Sequence, residues 1–348
     1  MRIGLVGYGH GGRHFHAPLL ASLAGAHLVG VVTRSAERRR LLAEDHPGVA
    51  AFDNIGQLAA AGVDALVIST PLEGRPALVL EAIERGIAVV SDKPFAADGA
   101  EAAALIQAAA ARQVPLCVYM NRRWDSDFLT LRTLIDSGAL GRVDRYESRI
   151  ERYAPQAVGN ASGGGMLRDL GSHLVDQALE LFGPVAQVYA ELHYTPEEAV
   201  VDHGFFVSLS HVNGVRSHLS GSCLQNSPAP RFRVSGSAGC YRVDGLDGQE
   251  QALVAGRSPK TEGERWGVEE HRRWGWLEQG EQRERVASQR GAWNQFYQRL
   301  QNALQGRGEL PVTAAEALAT TLVLDAARLS AEQSRVVSMS GELEKKQI

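Results

Sequence analysis

The sequence predicts an α/β unit over residues 1–120 and an α+β unit with an open, mostly antiparallel sheet over 121–348. Three observations carry this. In the first third, β-rich runs of four to six residues alternate with helical patterns, as parallel strands covered by helices on both faces do. A Gly-x-Gly-x-x-Gly run begins at Gly7, between the first strand and the first helix. Beyond residue 120, strand-like runs are separated by short turns, among them Asn213-Gly214, a strong hairpin signal.

Residues 2–6, Arg-Ile-Gly-Leu-Val, read as a short buried strand, and Gly7-Tyr8-Gly9-His10-Gly11-Gly12 leads into a helix through Pro18 to about Ala24. In that setting Gly7 permits the tight turn, Gly9 lets the backbone approach a pyrophosphate, and Gly12 lets the helix pack on the strand. The helix N-terminus offers free N–H groups to phosphate, so a dinucleotide is the expected ligand. Strands follow at 27–32, 65–69, 88–91 and 116–119, with helices at 36–45, 76–85 and 98–112 between them.

The second strand ends Val32-Thr33-Arg34-Ser35, with Arg38 and Arg39 next. NAD-binding domains place an acid at that strand end for the ribose 2′-hydroxyl. Here guanidinium and hydroxyl groups replace it, and they suit a 2′-phosphate. NADP is therefore the expected cofactor, with NAD as the alternative, since Glu37 stands nearby. The expected contacts are Gly7, Tyr8, Gly9, Gly12, Thr33, Arg34, Ser35 and Arg38. Thr70 and Pro71 after the third strand, Lys93 and Asn121 complete them. Lys93 lies in Ser91-Asp92-Lys93-Pro94-Phe95, at the carboxyl end of a strand, where ligands of open α/β sheets bind.

After residue 120, Asn121-Arg-Arg-Trp-Asp-Ser-Asp-Phe128 crosses into the second unit, and Asp125 or Ser126 can cap a helix over 127–136. Strand-like runs lie at 142–152, 185–194, 204–210, 215–223, 231–235 and 240–243. The charged, Trp-containing segment 256–280 reads as a loop over the cleft or an interface, and 293–304 and 314–330 as amphipathic helices. Between the first two of these strands, Gly163-Gly164-Gly165 feeds a helix of about 167–182 that Gly183 terminates. Asp169 and His173 are four residues apart and Asp176 follows at three, so on one continuous helix all three share a face. An imidazole with a carboxylate on each side suits proton transfer.

Composition narrows the function. The 348 residues are 44% hydrophobic and 22% charged, with a net charge of −4 and no basic patch of the kind that neutralises nucleic-acid phosphates. Cys117, Cys223 and Cys240 are odd in number and widely spaced, which fits a reducing compartment. No apolar run approaches the ~20 residues a bilayer span needs, and a strand begins at once, leaving no room for a signal peptide. A cytoplasmic protein is expected. His203, His211 and His218 match no zinc-ligand spacing, so they are assigned to structure and no metal is expected; His10, His14 and His16 flank the phosphate loop.

Taken together, Gly7-Tyr-Gly-His-Gly-Gly12, Asp92-Lys93-Pro94 and Asp169-x-x-x-His173 followed by Asp176 resemble the Gfo/Idh/MocA family of NAD(P)-dependent oxidoreductases, over essentially the whole chain. The family usually has Glu-Lys-Pro where this chain has Asp-Lys-Pro. Phe15-His-Ala-Pro18, Asp92-Lys-Pro-Phe95 and 121–129 look closest to the branch that includes NADP-dependent scyllo-inositol dehydrogenases. The resemblance implies Lys93, Asp169 and His173 as the catalytic group, with Lys93 stabilising an oxyanion, Asp169 holding His173 and Asp176 assisting. It also implies a cis Lys93–Pro94 bond and a small polyol or sugar substrate. The exposed sheet face has nothing in sequence to cover it, so a homodimer or homotetramer through the second-unit sheet is expected. A dinucleotide-binding regulator without turnover is the competing reading; it would not need the Lys–Asp–His group.

Overall fold

A computed structural model describes residues 1–158, 164–194, 201–227 and 229–340. Gly163, the first of the three loop glycines, lies outside them. The first sheet is formed by β1 (Arg2–Val6), β2 (His27–Val32), β3 (Ala50–Phe52), β4 (Ala65–Ile68), β5 (Ala88–Ser91) and β6 (Leu116–Val118), all parallel, in the order β3-β2-β1-β4-β5-β6. Its helices are α1 (Ala17–Ala21), α2 (Ala36–Asp45), α3 (Ile55–Ala60), α4 (Arg75–Glu84) and α5 (Gly99–Ala111). The strand order reverses direction at β1 and β4, and the crevice outside their carboxyl ends is where open α/β sheets bind nucleotides. β3 and α3 escaped the sequence reading because three and six residues are too short to display a period.

The second sheet has nine strands among the described residues, in the order β14-β13-β12-β11-β7-β10-β9-β8-β15. They are β7 (Val143–Glu151), β8 (Val185–His193), β9 (Gly204–His211), β10 (Arg216–Ser222), β11 (Phe232–Gly236), β12 (Cys240–Val243), β13 (Gly275–Gln279), β14 (Gln282–Val286) and β15 (Val337–Ser338). All pairs are antiparallel except β7 with β10. The helices are α6 (Ser126–Asp136), α7 (Met166–Asp169), α8 (Gly171–Phe182), α9 (Gln249–Val254), α10 (Pro259–Glu262), α11 (Asn294–Leu304) and α12 (Ala314–Gln333).

Two expectations need correction. The segment read as a loop over 256–280 contains α10 and all of β13, which turns into β14. β14, at the sheet edge, carries exposed Gln, Arg and Glu, and β13 beside it is only five residues long, so no apolar alternation marked them. The helix read as continuous over 167–182 is two segments meeting at Leu170.

The first core is not closed by the first 120 residues. Trp266, Trp293, Phe296, Tyr297, Leu300 and Val312 are buried in it with Leu5, Val67 and Val118. α12 then spans both units, packing on α5 and β6 on one side and on α8 and β8 on the other. Its start is fixed by reciprocal bonds: Thr313 Oγ1 accepts from the Glu316 amide at 3.2 Å, and Glu316 Oε2 accepts from the Thr313 amide at 2.7 Å. The shared helix and the shared aromatic core hold the carboxyl edge of the first sheet against α8.

Candidate active site

The phosphate loop leaves β1 at Gly7, whose φ of +100° only glycine adopts without strain, and a Cβ there would collide with the Ser69 carbonyl. A Cβ on Gly12 would likewise strike the Gly7 carbonyl, but one on Gly9 would meet only an Arg38 guanidinium nitrogen, at 3.9 Å. The loop is therefore closed beneath and open above Gly9, and residues of this kind fit a pyrophosphate. Thr70 Oγ1, at the exit of β4, is buried and has no hydrogen-bond partner among the described residues, a second feature that suits a polar ligand in the crevice. Pro71 beside it is exposed.

The Tyr8 side chain turns away from this crevice. It is buried, and its hydroxyl donates to Asp45 Oδ2 at 2.9 Å, while Arg13 holds the same carboxylate at 2.6 and 3.0 Å. A Tyr8 contact with a cofactor is thus left to its backbone. At the β2 exit, Thr33 is buried and its carbonyl accepts from Arg39 Nε at 3.0 Å. Arg39 is neutralised by Asp53 at 2.5 Å, an acid at the end of β3, a strand too short to show a period in the sequence. Ser35 Oγ caps α2 by accepting from the Arg38 amide at 3.3 Å. Arg34 donates only to the Asp53 carbonyl, at 3.4 Å, and neither Arg34 nor Arg38 has an ion pair among the described residues.

Asp92-Lys93-Pro94 forms the turn after β5, and the Lys93–Pro94 bond is cis, as the resemblance implies. Arg75, buried at the start of α4, fixes this turn by donating to the carbonyls of Asp92 and Pro94 at 2.6 Å each and to that of Thr70 at 3.0 Å. Nothing local in the sequence marks it, because its acceptors are set by the β4 and β5 ends. Asp92 accepts from the Lys93 amide at 2.8 Å and Ser69 Oγ at 2.9 Å, and lies 3.3 Å from His16 Nε2. Burial alone would raise Asp92, but His16, Arg75 and Lys93 outweigh it and hold the carboxyl well below the usual range. His16 is itself buried, with Nδ1 2.5 Å from the Tyr297 hydroxyl, so it is part of the frame of the site.

Lys93 reaches across to α7. Its ammonium donates to the Asp169 carboxylate, and to the Asp169 carbonyl at 3.2 Å. The break at Leu170 makes that second contact available: the His173 amide bonds to Leu170 O at 3.1 Å instead of to Asp169 O, which also receives Ser172 Oγ at 3.0 Å. α7 is anchored by Asp202. Its carboxylate accepts from the Leu167 amide at 2.7 Å and its carbonyl from the Met166 amide at 3.1 Å. Gly165, at φ +94°, lies against that carboxylate where a side chain would not fit.

The expected carboxylate–imidazole–carboxylate group does not form. Asp169 is paired with Lys93, whose charge, working against burial, lowers its pKa. Asp176 is paired with Arg123 by two bonds of 2.8 and 2.7 Å, and Arg123 also meets Glu316 at 2.7 Å and Glu180 at 3.0 Å. His173 is buried, and among the described residues neither ring nitrogen has a hydrogen-bond partner. Burial pushes its pKa well below the ordinary value, and Lys93, Arg122 and Arg231 add to this. Burial and the surrounding cations thus favour the neutral ring over an imidazolium held by carboxylates. Asn121 begins the buried turn after β6, beside Arg122.

A parallel sheet with this crevice, its Lys93 facing a buried histidine from a second sheet-bearing unit, is the build of an NAD(P)-dependent oxidoreductase. The NAD-binding Rossmann fold of the oxidoreductase family matches residues 1–120, and the GFO/IDH/MocA C-terminal domain matches residues 128–242. The chain belongs to the Gfo/Idh/MocA family. It is 30% identical to the scyllo-inositol 2-dehydrogenase (NADP(+)) IolW of Bacillus subtilis, over 97% of this chain and 96% of that protein. It is 36% identical to the oxidoreductase YdgJ of Escherichia coli, over 91% and 92% of the two chains. The crystal structure of an oxidoreductase from Klebsiella pneumoniae matches with a TM-score of 0.89 at 34% identity, covering 97% of this chain and 94% of that one. No helix among the described residues is long and apolar enough to cross a membrane.

Proposed function

We propose that this oxidoreductase interconverts a secondary alcohol and a ketone on a cyclitol or sugar, with NADP as cofactor. The observation that carries the reading is the meeting of Lys93 Nζ with Asp169 beside the buried His173, whose ring nitrogens have no hydrogen-bond partner among the described residues, at the carboxyl edge of the dinucleotide sheet. The similarity to an NADP-dependent scyllo-inositol dehydrogenase supports the substrate class. In this reading residues 1–120 bind the dinucleotide, and 121–348 bind substrate and associate with a second subunit through the sheet face not covered by helices, as a dimer or tetramer in the cytoplasm.

A nicotinamide held in this crevice would supply the hydride acceptor for oxidation and the hydride donor for reduction. His173 takes the hydroxyl proton as the carbonyl forms, and gives it back in the reverse direction. Lys93 places positive charge against the oxygen as it gains negative charge. In this reading Asp169 holds the lysine, supported by its ion pair with Lys93. Gly7, Gly9, Gly12, Thr33 and Thr70 line the dinucleotide crevice, while Arg34 and Arg38 face the 2′-phosphate, with the Ser35 cap holding the α2 start.

The test is a panel of inositols and sugars with NADP and NAD, and of keto-sugars with NADPH, followed by the near-UV absorbance of reduced nicotinamide. Turnover lost in His173→Gln, with NADPH binding retained, is the expected result. Cofactor binding with no turnover on any member of the panel would favour a regulator of the same fold.

A further inference from the structure

Behind α8 lies a polar cluster that the reaction above does not use. Gln177, fully buried, sits one helical turn beyond His173 and so on the same face of α8. Its Nε2 donates to the Arg122 carbonyl at 2.8 Å, and its Oε1 accepts from Arg231 Nη2 at 2.7 Å. Arg231 immediately precedes β11 and is 2% exposed. Of its other nitrogens, Nη1 donates to Ser148 Oγ of β7 at 2.5 Å, and Nε lies 3.4 Å from Asp127 Oδ2 of α6, an ion pair without hydrogen-bond geometry. The guanidinium also lies over the Phe232 ring, 4.0 Å from its centroid. A single side chain thus ties β7, β11, α6 and α8 together, and a planar fork is the group that can do so.

We propose that Arg231 is a positioning residue for His173, locking the helix that carries the imidazole through Gln177 and setting a fixed positive charge behind the ring. The proposal rests on the reading of His173 as the acid/base group.

The charged groups around the ring are consistent with it. Lys93 after β5, Arg122 after β6 and Arg231 before β11 all bear on His173, and all are cations. The nearby carboxylates are paired elsewhere: Asp169 of α7 with Lys93, Asp176 of α8 with Arg123, and Asp127 of α6 with Arg231. Arg122 is held by Asp125 at 3.2 Å and Glu250 at 2.6 Å. Lys93 faces the reacting side and is partly exposed, whereas Arg231 is enclosed and is screened much less by salt. A well-oriented base tolerates little displacement, and an error near 1 Å can cost on the order of 10²-fold in rate.

The test uses the full chain with histidine labelled at Cε1, with the His173 NMR signal assigned by its loss in His173→Gln. In Arg231→Met the His173 titration midpoint moves to higher pH than in wild type, and the acid limb of kcat/KM for the best substrate of the panel moves with it. Arg231→Lys keeps the charge without the fork, and Gln177→Met keeps Arg231 without the bridge. Both should leave the midpoint low and slow kcat roughly tenfold or more, with KM for NADP unchanged. A midpoint in Arg231→Met that coincides with wild type overturns the proposal. So does wild-type kcat in both Arg231→Lys and Gln177→Met, the pair that decides the matter if Arg231→Met does not fold. Should His173→Gln keep full turnover while the Arg231→Met midpoint still moves, the acid/base reading falls and the proposed role in catalysis falls with it, but the hold of Arg231 on the ring is confirmed.

Discussion

Replacing Arg34 with alanine should weaken NADP binding and leave NAD binding nearly unchanged. The three arginines near the β2 exit are not equivalent. Arg39 already faces Asp53 at 2.5 Å, so a phosphate would have to compete with that carboxylate. Arg34 and Arg38 have no ion pair among the described residues, and the Arg38 guanidinium stands beside the open side of Gly9. A charge-assisted hydrogen bond contributes about 1.5–3 kcal/mol. Because Arg34 is exposed, solvent screening places the contact at the lower end, so a loss of roughly tenfold to thirtyfold in NADP affinity is expected. Arg39→Ala should cost less, since its guanidinium is already engaged by the Asp53 carboxylate and the Thr33 carbonyl. The assay is kcat/KM and Kd for both cofactors at low and high salt, where the NADP advantage should shrink as salt rises. Equal use of NADP and NAD by the wild type would refute the reasoning, as would an Arg34→Ala loss shared by both cofactors or an Arg39→Ala effect as large as that of Arg34→Ala.

Asp169→Asn should leave NADP affinity intact while lowering kcat about 10²-fold or more, because the ammonium that faces the reacting oxygen loses its anchor; an unchanged kcat would remove Lys93–Asp169 from the mechanism. Arg75→Met leaves the buried carbonyl of Pro94 and the partly buried carbonyls of Thr70 and Asp92 without this donor and should cost about 3 kcal/mol, read as a lower urea midpoint; Arg75→Lys should not rescue it, since one ammonium cannot reach all three. His173 is held neutral in the fold, whereas the unfolded chain protonates it near its ordinary pKa of about 6.5. The unfolded state therefore binds the extra proton first, and stability falls as pH drops below that value, by up to about 1.4 kcal/mol per pH unit, until the folded-state ring titrates. His173→Gln should flatten that part of the slope in urea melts between neutral and mildly acidic pH, and an unaltered slope would show the ring is not held neutral.

What the sequence determined by itself was whatever depends on neighbouring residues. Alternation marked five of the six parallel strands, because a buried parallel strand must be apolar over its length whatever surrounds it. Gly7 and Gly12 were legible because the turn conformation and the close approach of strand and helix exclude a side chain. Lys93 stood out through its place at a strand end, and Gly183 through the helix it terminates, with a φ of +72°. The tertiary structure decided which charges meet. Asp169 and His173 are four residues apart, yet Asp169 takes Lys93, 76 residues away, and Asp176 takes Arg123, 53 residues away. Spacing shows which side chains share a face of an unbroken helix; it cannot show that the helix breaks at Leu170, where a carbonyl is released to a lysine from the other unit. Arg75, Asp202 and Arg231 were illegible for the same reason. Their acceptors are set by backbone that only folding brings near, and a buried guanidinium or carboxylate is stable only where the assembled chain supplies partners.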